Sequence, residues 1–264
     1  MGKKIFLLFA FFSILGMGRA QEVELGVFGG VSYYLGDINP GKHFSQVKPA
    51  YGLSARHNFN KRVAVRLSAF RGQLFASDQV IQFETDRMLK FRSNITDISV
   101  QMEFNFLPYF TGSLKEYLTP YIFGGFSAFF FNPKSDGVEL REIGTEGQLV
   151  GFLGRDKYPN YSFGVPFGLG VKYSLTDRIG LTVEWGARKI FTDYLDDVST
   201  TYYLDGPNIN PNDIEQLLSD PTRSKLPEMQ RGDPGNNDWY FFSGITISYM
   251  FDLSGGPKCL NEQM

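Results

Sequence analysis

Residues 161–175 read YSFGVPFGLGVKYSL. Every odd position is apolar: Tyr161, Phe163, Val165, Phe167, Leu169, Val171, Tyr173 and Leu175. The even positions hold Ser162, Gly164, Pro166, Gly168, Gly170, Lys172 and Ser174, all small, polar or charged. A period of two is the signature of a strand with one apolar and one polar face. The run is also long for a soluble strand, which usually has about five or six residues.

The same pattern recurs along the chain. Leu25, Val27, Val31, Tyr33 and Leu35 alternate with Glu24, Gly26, Phe28, Gly30 and Ser32. Tyr51, Leu53 and Ala55 oppose Gly52, Ser54 and Arg56, and Val63, Val65, Leu67 and Ala69 oppose Ala64, Arg66 and Ser68. Ile98, Val100, Met102, Phe104 and Phe106 alternate with Asp97, Ser99, Gln101, Glu103 and Asn105. Further runs lie at 179–191 and 241–251, and residues 119–131 predict a strand that is apolar on both faces, so its faces stay unassigned.

About eight strands result, joined by connections that alternate in length. Turns near 60, 113 and 177 are short, whereas those near 42, 82, 146 and 216 are mostly longer. Short periplasmic turns and long outer loops mark outer-membrane barrels, as does an even strand number. Closure is required because an unpaired strand edge cannot survive in lipid. The expected fold is all-β: an antiparallel transmembrane β-barrel of about eight strands, an OmpA-like small barrel. A soluble antiparallel sandwich also alternates, but the long strands and loop asymmetry count against it. Asn132–Asn160 is expected to be a loop, and a short helix is expected around Ile214–Leu218.

Residues 1–20 read as a signal peptide. Lys3 and Lys4 precede an apolar core from Ile5 to Leu15, and Gly18-Arg19-Ala20 forms a small-residue cleavage site. The apolar core is shorter than the about 20 residues that a spanning helix needs. The expected organisation is a signal at 1–20, a barrel at 21–253 and a short periplasmic tail at 254–264. Loss of the leader takes the formal net charge from −2 to −5. That mild acidity argues against a nucleic-acid partner; the expected surroundings are outer-membrane lipid. The single cysteine, Cys259, excludes an intrachain disulfide and lies in the tail as a free thiol or a link to another protein.

The polar phase places Glu24, Arg56, Arg66, Glu103, Lys172, Glu184 and Arg188 inside the barrel. A lumen of about eight strands is filled by side chains. Mixed charges there are expected to pair as a structural plug, with a proton or ion path as the alternative. Arg66 and Glu103, on neighbouring strands, are expected to approach each other. Catalysis has little to work with. His43 and His57 are the only histidines, neither with a convincing Ser or carboxylate set, and no phosphate loop or CxxC pair occurs. No cofactor is expected. Asp193, Asp196 and Asp197 in FTDYLDDVS, with Asp233 to Asp238 in RGDPGNNDWY, could supply oxygen ligands to Ca²⁺, or be ordinary acidic turns. Phe28-Gly29-Gly30 reads as a strand kink.

Several blocks together resemble one family: SYYLGDINP (32–40), DISVQMEFNFLPY (97–109), TPYIFGG (119–125), FFFNPK (129–134), VEWGARKIFTDYLDDVST (183–200) and RGDPGNNDWYFFSGITISY (231–249). They are similar to the PorG-like outer-membrane proteins of Bacteroidota. The resemblance implies a non-enzymatic barrel of the type IX secretion system that associates with a periplasmic lipoprotein ring. It supplies no catalytic residues. The ring-facing surface would then be the short turns and the tail, with Tyr109, Phe110, Leu114, Tyr117 and Cys259 as partner-binding residues. Packing of those aromatics against the barrel's own rim is the alternative.

Overall fold

The computed structural model describes residues 22–252. Alternating residues become strands β1 (Glu22–Leu35), β2 (Lys48–Asn58), β3 (Val63–Ser77), β4 (Lys90–Asn105), β5 (Leu118–Ser135), the two-residue β6 (Val138–Glu139), β7 (Tyr161–Ser174), β8 (Ile179–Ile190) and β9 (Trp239–Asp252). Apart from β6, they form one antiparallel sheet in the order β4-β3-β2-β1-β9-β8-β7-β5, and β4 pairs with β5 to close it. The fold is a closed eight-stranded antiparallel barrel. The signal peptide, the tail after 253 and Cys259 lie outside the described residues.

The alternation sorts side chains as its period demands. Leu53, Val100, Met102, Phe163 and Leu169 are exposed on the outer wall, while Ser99, Gln101, Glu103 and Lys172 are buried within. That leaves an outward apolar belt, the wall a bilayer covers. No helix among the described residues is long and apolar enough to cross a membrane. On β5 the faces are now assigned: Tyr121, Phe123, Phe129 and Phe131 point inward, and Ile122, Phe126 and Phe130 outward.

Two departures from the sequence reading matter. First, β3, β4 and β5 have 15, 16 and 18 residues, well beyond the 9–11 that a tilted strand needs to cross. The barrel therefore rises past the membrane on its outer side, and part of the expected connections near 82 and at 132–160 is sheet. Second, β1 keeps an unbroken register with β2 and β9 through Phe28-Gly29-Gly30. Gly30 faces Gly244 across the β1–β9 pair, and a Cβ on either would run into the backbone of the other strand. These glycines let the two strands approach closely beside the Phe28 ring.

Pro166, in the middle of 161–175, leaves its mark on the sheet. The β5–β7 ladder runs to Gly124↔Phe167 and resumes in the same register at Ser127↔Gly164. Proline has no N–H to donate, so the ladder is interrupted beside it.

The outer connections form a folded cap. The longest, residues 191–238, carries the helix Ile214–Ser219, whose N-cap Asp213 accepts from the backbone N–H of Glu215 and Gln216. Its helix sits where the sequence placed one.

Candidate functional site

The lumen is stacked in layers. In the lower one, Glu103 is the hub: it accepts from Arg56 Nε at 2.7 Å and Lys172 Nζ at 2.6 Å and is ion-paired with Arg66, whose Nε lies 3.1 Å away and donates to Gln101. Arg56 also reaches Glu24 at 2.8 Å, and Arg66 pairs with Glu184. Tyr121, Gln101, Asn105 and Asn58 complete the hydrogen bonds, with Tyr121 Oη donating to Glu184 at 2.7 Å. Three carboxylates thus meet three cations, all buried. Pairing makes these six charges tolerable, because an ion left alone in a dry interior costs several kcal/mol.

Arg188 stands apart from this network. Its Nη1 donates to the Gly186 carbonyl at 2.9 Å, and its guanidinium lies 4.8 Å from the Phe242 ring centre. It belongs to the layer above, where Phe28 stacks on Phe70 at 4.3 Å and meets Phe242 edge-on at 6.3 Å. This aromatic layer continues upward through Phe129, Tyr240, Phe91, Ile95 and Leu74 into the cap.

Over that core lies an acidic cluster. Tyr34 Oη bonds the Asp196 carboxylate and Asp238 Oδ1, the latter at 3.0 Å. A hydroxyl has one proton, so one of the two acids must carry its own. Burial pushes both carboxyls well above the usual range, Asp37 and Asp193 raise both further, and Asp196 also raises Asp238. Burial likewise lifts Asp193 to about 8 and Asp37 to about 6. Asp197 sits at about 6, raised by burial against the pull of Arg231, and accepts from Tyr158 Oη at 2.6 Å. Glu146 takes Arg231 at 3.1 Å and the backbone N–H of Ser199 at 2.9 Å. Asp78 holds Arg87 at 2.8 Å, and Arg87 donates to the Arg231 carbonyl at 2.7 Å, locking two outer loops together.

Among the described residues no three His, Cys, Asp or Glu side chains form a metal-holding group. Asp196 serves Tyr34 and the Val198 N–H, and Asp197 serves Tyr158, Thr145 and Arg231. Their oxygens are committed to holding the cap. Tyr34, Asp37, Arg87, Glu146 and Arg231 were not singled out from sequence. Tyr34 had a signal, since its phase points inward. Glu146 lies in a stretch without periodicity and had none.

The histidines are far from such chemistry. His43 Nδ1 lies 3.3 Å from Tyr33 Oη, and His57 packs edge-on against Phe59 at 4.8 Å.

At the other end, the turn at 106–117 divides. Leu114 is 85 % exposed and Tyr117 is exposed too, while Phe110 is half-buried. Tyr109 is 6 % exposed, which removes it from the expected partner surface. Its hydroxyl lies 3.2 Å from Thr111 Oγ1, which donates to Glu24 at 3.2 Å, so Tyr109 plugs the lumen from below. An amphipathic ring next to a charged network buries its body and bonds its tip.

A family model described as a domain of unknown function, DUF6089, matches residues 3–260. The chain belongs to the DUF6089 family. No curated protein matches it. Among solved structures, the DUF6089 chain is similar to Neisserial surface protein A, with 10 % identity, TM-score 0.46, and 88 % of this chain and 97 % of that one covered. It is also similar to OprG of Pseudomonas aeruginosa (14 %, TM-score 0.43, 89 % and 98 % covered) and to Ail of Yersinia pestis in complex with a heparin analogue (9 %, TM-score 0.43, 88 % and 99 %). What the DUF6089 chain's own strand pairing and burial establish is a closed eight-stranded antiparallel β-barrel with an outward apolar belt.

Proposed function

We propose that this DUF6089 barrel is a non-enzymatic anchoring component of a type IX protein secretion machine, associating with its periplasmic lipoprotein ring. The sequence blocks that resemble the PorG-like proteins motivate the reading. The observation that carries it is the split turn at 106–117. Tyr109, held inside the lumen, fixes a loop that presents Leu114 and Tyr117 to solvent at the periplasmic end. A rigid loop offering exposed apolar side chains suits a docking partner, since little entropy is lost on binding. The filled lumen favours an anchor over a conduit.

A deletion strain should lose surface secretion, and the tagged barrel should co-purify with periplasmic ring subunits. Leu114→Asp with Tyr117→Ser should release those subunits while the barrel still inserts. Normal secretion together with no recovered partner would leave a generic structural barrel, the second reading.

A further inference from the structure

The apolar belt does not end at one height around the barrel. On β7 it continues outward to Phe163 and Tyr161. On β3 and β4 it stops at Ala69 and Ile98, which are cross-strand partners. Above them, on the same outward face, come Arg71, then the pair Gln73–Asn94, then Phe75 opposite Arg92. Gln73 Nε2 donates to Asn94 Oδ1 at 3.1 Å. Phe75 is flanked by two cations, with Lys48 Nζ at 4.8 Å and Arg92 Cζ at 5.7 Å from its ring centre. Among the described residues, none of Arg71, Lys48 and Arg92 is paired with a carboxylate. Nearby cations are spoken for: Lys90 pairs with Asp136 at 2.8 Å and Lys134 with Glu139 at 2.6 Å.

We infer that this column binds the phosphate-bearing, acylated glycolipid of the outer leaflet. The order of side chains up the wall is the order of that molecule. Exposed Tyr51, Leu53 and Ile98 lie at acyl-chain level. Arg71 stands at the upper edge of the apolar belt, where its apolar stem can lie along the wall and its guanidinium meet a phosphate in the bidentate geometry it favours. The amide pair and the Phe75 face match sugar hydroxyls and a sugar ring. Lys48 and Arg92 meet further anionic groups of the headgroup. Three cations with no carboxylate partner give this column a net positive charge that complements the anionic headgroup.

Native mass spectrometry of the folded barrel in detergent, titrated with diphosphoryl lipid A, its dephosphorylated form or phosphatidylglycerol, tests this. Diphosphoryl lipid A should stay bound. Arg71→Gln should weaken it about fivefold, and Arg71→Gln/Lys48→Gln/Arg92→Gln on the order of 100-fold, with Arg71→Lys/Arg92→Lys retaining most binding. Lys90→Gln should leave binding unchanged. Heat-modifiable gel mobility reports that each variant remains folded, and these side chains sit on the outer surface. Equal retention by the triple variant, by the dephosphorylated lipid, or of phosphatidylglycerol would overturn the assignment.

Discussion

The two halves of the lumen solve the same problem by opposite means. The lower half is filled with charge, Glu24, Glu103 and Glu184 against Arg56, Arg66 and Lys172, every one paired. The upper half is filled mainly with rings and aliphatic side chains, from Phe28, Phe70 and Phe242 to Leu74 and Ile95, with the Arg188 guanidinium buried against Phe242 among them. A charged filling demands stoichiometry, because losing one partner strands another. An apolar filling demands only volume, and errors there are graded.

Removing the hub is the sharpest way to break the contrast. Glu103→Gln leaves three buried cations facing two carboxylates and should cost about 3–5 kcal/mol. The urea midpoint of the heat-modifiable folded form would show it. Adding Lys172→Met restores balance, since Arg56 keeps Glu24 and Arg66 keeps Glu184. The double variant should recover much of the loss. If it is no more stable than the single one, charge balance is not what the lower half requires.

The upper half should respond more gently. Phe242→Leu keeps an apolar filler against Phe28 and Phe70 and should cost about 1–2 kcal/mol in the same assay. A loss as large as that of Glu103→Gln would mean that ring geometry, including the Arg188 contact, matters more than volume.

The two halves also differ in how far the sequence revealed them. Period two placed Glu24, Arg66, Glu103 and Lys172 inside, because one buried face per strand makes the register unambiguous. It brought Arg66 and Glu103 together for the same reason. It could not separate Arg188 from the network, since height within the lumen depends on the stagger between strands. The acidic cluster was legible only in pieces. Asp196 and Asp238 were visible as acids, yet their shared partner Tyr34 lies more than 160 residues from Asp196, and loop packing carries no periodicity. Nor did alternation reveal that Tyr109 turns inward, because it sits in a turn.

The cap above the apolar half should respond to pH. Asp193 and Asp37 have carboxyls raised by burial, to about 8 and about 6, so the folded cap holds protons that the unfolded chain has released. Stability is then complete below about pH 4, the ordinary carboxyl range, and declines as pH rises toward 8. Hydrogen-exchange protection within 191–238, corrected for the intrinsic pH dependence of amide exchange, should be lower at pH 8 than at pH 5, with that of the barrel strands unchanged. Asp193→Asn should protect the cap at pH 8 and flatten the profile. The opposite slope would mean that Arg87 and Arg231 govern the cap.

The smallest expected effect lies at the bottom of the charged half. Tyr109→Phe removes one hydroxyl from the chain that runs through Thr111 to Glu24 and leaves the ring in place. A neutral hydrogen bond at the edge of a charged network contributes about 0.5–1.5 kcal/mol, so a slight but measurable fall in the urea midpoint is expected. Leu114→Ser, five residues along the same turn, should change nothing, because an 85 % exposed side chain has no packing to lose. Equal effects from the two variants would mean that the turn is not divided between a plug and a presented face. The outward half would then lose the rigidity that makes it suitable for docking. A difference would tie the periplasmic surface to the charged half of the lumen, since the same turn that closes the network also sets the position of Leu114.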